Sequence, residues 1–174
     1  MSSAPADPVS PRLRVLPAIV LGGFACGVLD ITEAFVFWGV RTGASPARIL
    51  QSVAAGVLGR DAAVQGGLAT AALGAVLHFF IATTAAAVYV LASLKLPVLV
   101  RHAVPCGLLY GVAVHFFMTY VVIPLSAIGG GRGGAFNLAL FLNGVIGHAL
   151  FVGLPISLAT RWAAGPRAGR SGGA

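Results

Sequence analysis

Residues 15–40 read VLPAIVLGGFACGVLDITEAFVFWGV. The run is long enough to cross a bilayer, which takes about 20 predominantly apolar residues. Yet it holds Asp30 and Glu33, two of only four acidic residues in the 174-residue chain. A charge at the bilayer centre costs about 2.5–3.5 kcal/mol on insertion scales unless it finds a partner or water. Either the segment is a span with a reason to keep its carboxylates, or it is no span at all.

The rest of the chain favours a span. It is 58% hydrophobic and only 9% charged, where a soluble domain carries about 25% charged residues. Four apolar segments exceed the length that argues for a spanning helix: about 15–40, 67–92, 103–123 and 136–160. Their prolines (Pro17, Pro105, Pro124, Pro155) lie toward segment ends, where the backbone tolerates them. The expected architecture is an all-α integral membrane four-helix bundle over 12–162, with disordered tails at 1–11 and 163–174.

The net charge of +7 comes from arginines spread over loops and ends. That distribution orients membrane helices; it is no nucleic-acid footprint, and no base-stacking aromatic motif accompanies it. With the N-terminus inside, Arg12, Arg14, Lys95, Arg101, Arg161, Arg167 and Arg170 lie inside and Arg41, Arg48, Arg60 and Arg132 outside, seven against four. The expected location is a bacterial inner membrane, multi-pass, with both termini cytoplasmic. Arg12 and Arg14 before an apolar run imitate a signal peptide, but the run outlasts an h-region and no clean small-x-small site follows. GFAC before Cys26 makes a poor lipobox. Cys26 and Cys106 would differ in depth by about 12 Å at helical rise, too far for a disulfide.

The first loop, SPARILQSVAAGVLGRDAAVQGG (45–67), starts with Ser45 as N-cap and Pro46 at the first helical position. Ile49, Leu50, Val53 and Val57 share one helical face, and Gly59 ends the run. A short amphipathic helix over 46–58 is expected, in the membrane interface, dipping into it, or packed on top of the bundle. The third loop, SAIGGGRGGAF (126–136), lacks the lysine that a phosphate-cradling P-loop needs and reads as a flexible connection.

Each span carries an ionisable residue: Asp30 and Glu33 on the first, His78, His115 and His148 on the others. At about 1.5 Å per residue Asp30 and the three histidines fall in one layer slightly outward of the bilayer centre. Small residues form stripes that let helices approach. On span one these are Gly23, Gly27 and Ala34, with Asp30 among them; on span two Ala71, Ala75, Ala82 and Ala85, with His78. Gly107 and Gly111 lead span three, with His115 at the edge. On span four Gly144, His148, Phe151 and Pro155 share a face. The pattern aims Asp30 at the histidines and leaves Glu33 one turn outward and rotated off the stripe.

Three chemistries fit. Asp30 and Glu33 take up a proton or cation while the histidines line its path, with a homo-oligomer supplying a wider one. Or the polar residues only hold the helices together. Or His78, His115, His148 and Asp30 ligate a metal ion or haem. Against the last, no two candidate ligands form an HxxxH or ExxxH pair. The length and span count are similar to the small bacterial di-haem b-type cytochromes, which place paired histidines on facing helices, but the first span here has none. No cofactor is therefore expected, and the bilayer is the expected partner. No HExxH, GxSxG or CxxC supports a membrane enzyme. Through GVLDITEAFVFWGVR, ARILQSVAAGVLG and GLLYGVAVHFFMTYVVIPLS the chain resembles small multi-pass inner-membrane proteins of bacteria that carry no assigned activity. That resemblance implies the membrane fold and no catalytic residue.

Overall fold

The computed structural model describes residues 14–129 and 137–165. The expectations for the glycine-rich loop at 130–136 and most of both tails fall outside them. All regular structure among the described residues is helical. Four helical spans are long and apolar enough to cross a membrane: Val15–Thr42, Gly67–Lys95, Ala103–Leu125 and Leu138–Ala163. The chain is a membrane-spanning helical bundle.

Local chemistry sets the helix ends. Helix α1 (Val15–Thr42) stops at Gly43, whose φ of 69° only glycine adopts freely and whose N–H donates to the Gly39 carbonyl. Helix α2 (Pro46–Leu58) starts at Ser45, whose hydroxyl accepts from the Arg48 N–H at 3.3 Å, and ends at Gly59. One turn and a half, α3 (Arg60–Gln65), leads into α4 (Gly67–Lys95). A single turn, α5 (Val98–Arg101), joins α4 to span three. Span four opens at Asn137, whose side-chain oxygen accepts from the Leu140 N–H at 3.1 Å.

Spans three and four each contain a π-turn. Span three runs α6 (Ala103–Phe117), π1 (Met118–Val122) and α7 (Ile123–Leu125). Span four runs α8 (Leu138–Gly147), π2 (His148–Gly153) and α9 (Leu154–Ala163). Each π-turn ends two residues before a proline, Pro124 or Pro155. A proline donates no hydrogen bond and its ring crowds the carbonyl four residues back. The widened turn relieves this, with Ile123 N–H donating to the Met118 carbonyl and Leu154 N–H to the Ala149 carbonyl, both five residues back. Span four continues past the expected boundary: Ala163 is helical and buried, and its carbonyl accepts from the Arg14 N–H at 3.2 Å. Both ends of the membrane domain thus lie on one side.

Small residues form the interior and large ones the exterior. On α1, Ala18, Gly22, Gly23, Cys26 and Gly27 are buried, whereas Leu16, Val20, Phe24, Val36 and Val40 are exposed. A lipid-facing surface accepts large apolar side chains, and helix association in lipid depends on close approach instead. A Cβ at Gly23 would stand 2.7 Å from the Thr83 Cα, and one at Gly27 would stand 2.7 Å from the Phe79 ring. Gly107 and Gly111 on α6 meet Ser157, Gly153 and His148 of span four just as tightly. Helix α1 packs on α4 and on α9; span three packs on span four. The α4 stripe differs from the expected one: Ala71, Gly74, Ala82 and Ala86 are buried, while Ala75, Ala85 and, on α1, Ala34 are half-buried. Tyr89 closes the core beside Cys26, Ala86 and Ile156, its hydroxyl donating to the Leu99 carbonyl at 3.0 Å. Spans two and three stay apart around an apolar groove of about 500 Å³, bridged where the Tyr110 hydroxyl donates to the Ala85 carbonyl at 2.8 Å.

Helix α2 occupies the expected residues but turns a different face inward. Ile49, Gln51, Ala54 and Ala55 are buried, whereas Val57 is 63% exposed. The reason is close contact with α4: the Leu50 backbone lies directly on Gly74. Small alanines permit that approach and the larger valine is left outward. Gly74 lies two turns into α4, about 10 Å below its start, so α2 lies beside the span and not on top of it. Gln51 Nε2 donates to the Gly67 carbonyl at 2.9 Å, and the Ala127 N–H to the Gly56 carbonyl at 2.8 Å, tying α2 to spans two and three.

Gly74→Val should therefore push α2 off α4 and destabilise the protein by roughly 1–3 kcal/mol, the usual cost of overpacking. Gly39→Ala is the matched control, because the nearest atom to a Cβ there is 3.8 Å away. Thermal unfolding in detergent should separate the two; equal melting temperatures would remove the α2–α4 contact from the account.

Candidate functional site

Helix α1 carries two stripes. Gly23 and Gly27 face α4, meeting Thr83 and Phe79. Gly22, Cys26, Glu33 and Phe37 recur at four, seven and four residues and run down an adjacent face. Gly22 meets Ile156, Ala159 and Ala86, and Cys26, whose thiol donates to the Ala82 carbonyl at 3.9 Å, shares a core cluster with Val152 and Ile156, so this second stripe lies between span four and α4. Glu33 follows it: a Cβ at Gly147 would stand 3.7 Å from the Glu33 carboxyl carbon. The residue expected to be off the packing stripe is the carboxylate that meets another span, and the sequence NGVIGH (143–148) is what it meets.

Each polar or small position of that hexapeptide has a task. The Asn143 side chain donates a hydrogen bond to the Glu33 carboxylate. Gly144 leaves room for the His115 ring, which lies where its Cβ would be. Gly147 lets Glu33 approach. His148 interacts electrostatically with Glu33, and its ring centroid lies 5.1 Å from that of His115, with the planes at 65°. His148 Nδ1 lies 2.9 Å from the Gly144 carbonyl oxygen. A carbonyl only accepts, so Nδ1 carries a proton, and Nε2 is the ring nitrogen left for another partner. The π2 turn begins at His148, where Gly111 of α6 abuts the His148 carbonyl. Wide turns of this kind often occur at functional positions.

The other candidates go elsewhere. His78 Nε2 donates to the Gly27 carbonyl at 2.9 Å, bridging α4 to α1 and standing edge-on to Phe79. Asp30 is half-buried one turn inward of Glu33 and acts on it electrostatically. Of the expected group, His115 and His148 stand together and His148 acts on Glu33, while His78 is bonded to the Gly27 carbonyl and Asp30 acts on Glu33. On span four, Phe151 and Pro155 are half-buried and Gly147, Val152 and Ile156 are buried, because the π-turn shifts the face that a regular helix would have continued. Among the described residues no group of three or more His, Cys, Asp or Glu side chains is placed to hold a metal ion, and Cys26 and Cys106 are free thiols.

An aromatic wall continues outward from the imidazoles. His115 contacts Phe116 at 5.6 Å and Phe141 at 6.3 Å, and Phe116 stacks on Tyr120 at 5.9 Å between centroids. On α1 the Arg41 guanidinium lies over the Phe37 ring, 6.0 Å from its centroid, two turns outward of Glu33.

Reading the chain for ionisable residues missed Asn143, although an amide flanked by two glycines and a histidine inside an apolar span was a visible signal. No protein-family model, curated protein or solved structure matches this chain. The functional reading therefore rests on the geometry.

Two substitutions separate the tasks of the histidines. His78→Ala removes an interhelical hydrogen bond and should lower stability by about 0.6–2 kcal/mol, the range for such bonds in membranes. Gly144→Val should unseat His115 without touching the His78 bond. In a double variant, thermal unfolding should show the two losses adding; strong non-additivity would place His78 in the same unit as His115.

Proposed function

We propose that this protein binds a proton or small cation within the membrane at Glu33, with His148 and His115 as the neighbouring relay, and couples that binding to transport. One observation carries the reading: Glu33 is turned onto a polar segment of another span and not onto lipid. A carboxylate kept inside a bilayer at this cost is a functional group by default. Asn143 supplies a neutral donor that holds the carboxylate in place without removing its ability to titrate. His148, with Nδ1 committed to a backbone carbonyl, leaves Nε2 for a partner, and the ring contact with His115 extends the path by one group.

The location follows the same logic. Arg14, Lys95, Arg101 and Arg161 lie at the end of the bundle where Arg14 bonds to Ala163, and Arg41, Arg48 and Arg60 at the other. The charge bias supports a cytoplasmic position for that end, and a bacterial inner membrane is the setting we propose. Four spans make a narrow path, and span three is the least buried of them, so the working form is proposed to be a homo-oligomer. A purely adhesive role for the polar residues is the competing reading, and the His78–Gly27 bond is an example of it.

Flux in liposomes across an imposed pH gradient separates the two. Glu33→Gln keeps shape and hydrogen bonding but not titration. It should abolish gradient-driven flux while leaving thermal stability within about 1 kcal/mol, and Asp30→Asn should reduce flux less. Equal flux in wild-type protein, Glu33→Gln and empty liposomes would leave the adhesive role alone standing.

A further inference from the structure

Span four is seated against two neighbours, and both contacts carry the same irregularity. Toward α1, Ile156 meets Gly22, Val152 shares a core cluster with Cys26, Gly147 faces Glu33 and Asn143 bonds to Glu33. Toward span three, Ser157 and Gly153 meet Gly107, Ala149 meets Gly111, and Gly144 meets the His115 ring. A regular helix repeats a face every three or four residues. The series 156, 152, 147, 143 steps by four, five and four residues, and the series 157, 153, 149, 144 by four, four and five. Both long steps cross the start of π2 at His148. A π-turn holds one residue more than the α-turn it replaces.

That surplus residue sets which side chains meet Glu33. The inner half of span four is fixed, because Ser157 and Gly153 lock onto Gly107 and Ala163 accepts from Arg14. If a regular helix ran outward from Val152, every position beyond the turn would advance by one, a rotation of about 100°. His148 would take the place of Gly147, Gly144 that of Asn143, and Val145 that of Gly144. Glu33 would lose its amide donor, and the His115 ring would meet a valine side chain where it now meets glycine. The cause of the surplus residue lies about 12 Å along the helix from Gly147, eight residues on. Pro155 has no N–H to give the Phe151 carbonyl, and its ring crowds that carbonyl. The Leu154 N–H reaches back to Ala149 instead.

We infer that Pro155 is a positioning residue for the Glu33 site: by imposing π2 it sets the register in which Asn143 and Gly147 meet Glu33 and Gly144 receives His115. This rests on the proposed binding at Glu33 and adds the residue that chooses the partners of the carboxylate. Pro124 supplies the contrast. It follows π1 (Met118–Val122), which lies outward of His115, so the seat of His115 against span four does not depend on it.

Paired cysteines report the register, in a background where Cys26 and Cys106 are replaced by alanine. Glu33→Cys is combined with Gly147→Cys or with His148→Cys, and disulfide formation by an added oxidant is followed in membranes. With Pro155 in place, the pair through position 147 should form in preference to the pair through position 148. Pro155→Ala should reverse that preference, and Pro124→Ala should leave it unchanged. Deletion of Leu150, an exposed residue within π2, removes the surplus residue. Combined with Pro155→Ala it leaves both halves of span four in their native register, so the preference for position 147 should return. An unchanged preference in Pro155→Ala, or no preference for position 147 in the deletion variant, would overturn the role of Pro155. The deletion variant decides the outcome if Pro155→Ala alone does not fold. Cross-linking does not depend on flux. A reversed preference in a protein without proton or cation flux would refute the transport reading alone, and flux with an unchanged preference would refute the role of Pro155 alone.

Discussion

Close approach of helix backbones at glycine is the constraint on which the structure depends. In lipid there is no hydrophobic driving force between helices, so contact must come from fit and from hydrogen bonds. Gly23 and Gly27 admit α4, Gly22 admits α9, Gly107 and Gly111 admit span four, and Gly74 admits α2. At each of these positions a Cβ would meet backbone or a packed side chain. The same approach brings polar groups together, because a carbonyl at a glycine is within reach of a neighbouring helix. His78 uses this at Gly27. The site uses it twice more, at Gly144 beneath His115 and at Gly147 beside Glu33.

Polar groups inside the bundle are satisfied in two ways, and the difference separates structure from function. Hydroxyls bond back to their own helix, as Thr160 does to Ile156 and Ser93 to Val90, and His78 bonds to a backbone carbonyl across a helix pair. These arrangements fix both partners and leave nothing to exchange. Glu33 differs, since its partners are an amide side chain and an imidazole, each able to adapt to a change in the carboxylate's charge. No buried side-chain nitrogen or oxygen among the described residues lacks a partner. The candidate site is thus distinguished by the type of its hydrogen bonds and not by an unmet need for them.

Much of this fold was legible in the chain. Spans follow from the length of apolar runs, and α2 was bounded to the residue by Ser45, Pro46 and Gly59, because caps are local chemistry. The glycine stripes on α1 and α6 were visible for the same reason. What the chain hid depends on rotation. Asp30 shares a stripe with Gly23 and Gly27, and uniformity of small residues made that stripe conspicuous. The stripe that carries Glu33 mixes Gly22, Cys26 and Phe37, and its meaning appears only once span four lies against it. On span four the π2 turn moves the buried face, so a regular period projects the wrong side chains inward past His148. Pro155 was the available clue, and read as a helix end it concealed the wide turn before it. On α2 the inward face was set by the need to approach Gly74, which favours alanine over valine, and an amphipathic projection weighs them the other way.

The central claim is that Glu33, and not Asp30, faces Asn143, Gly147 and His148. Oxidative cross-linking of paired cysteines in membranes tests it most directly, in a background where Cys26 and Cys106 are replaced by alanine. The double variant Glu33→Cys, Gly147→Cys should form an intramolecular disulfide in preference to Asp30→Cys, Gly147→Cys, since the Glu33 carboxyl carbon reaches to 3.7 Å from where a Gly147 Cβ would stand. The pair Asp30→Cys, Gly147→Cys should remain reduced. Cross-linking through position 30 with none through position 33 would contradict the account.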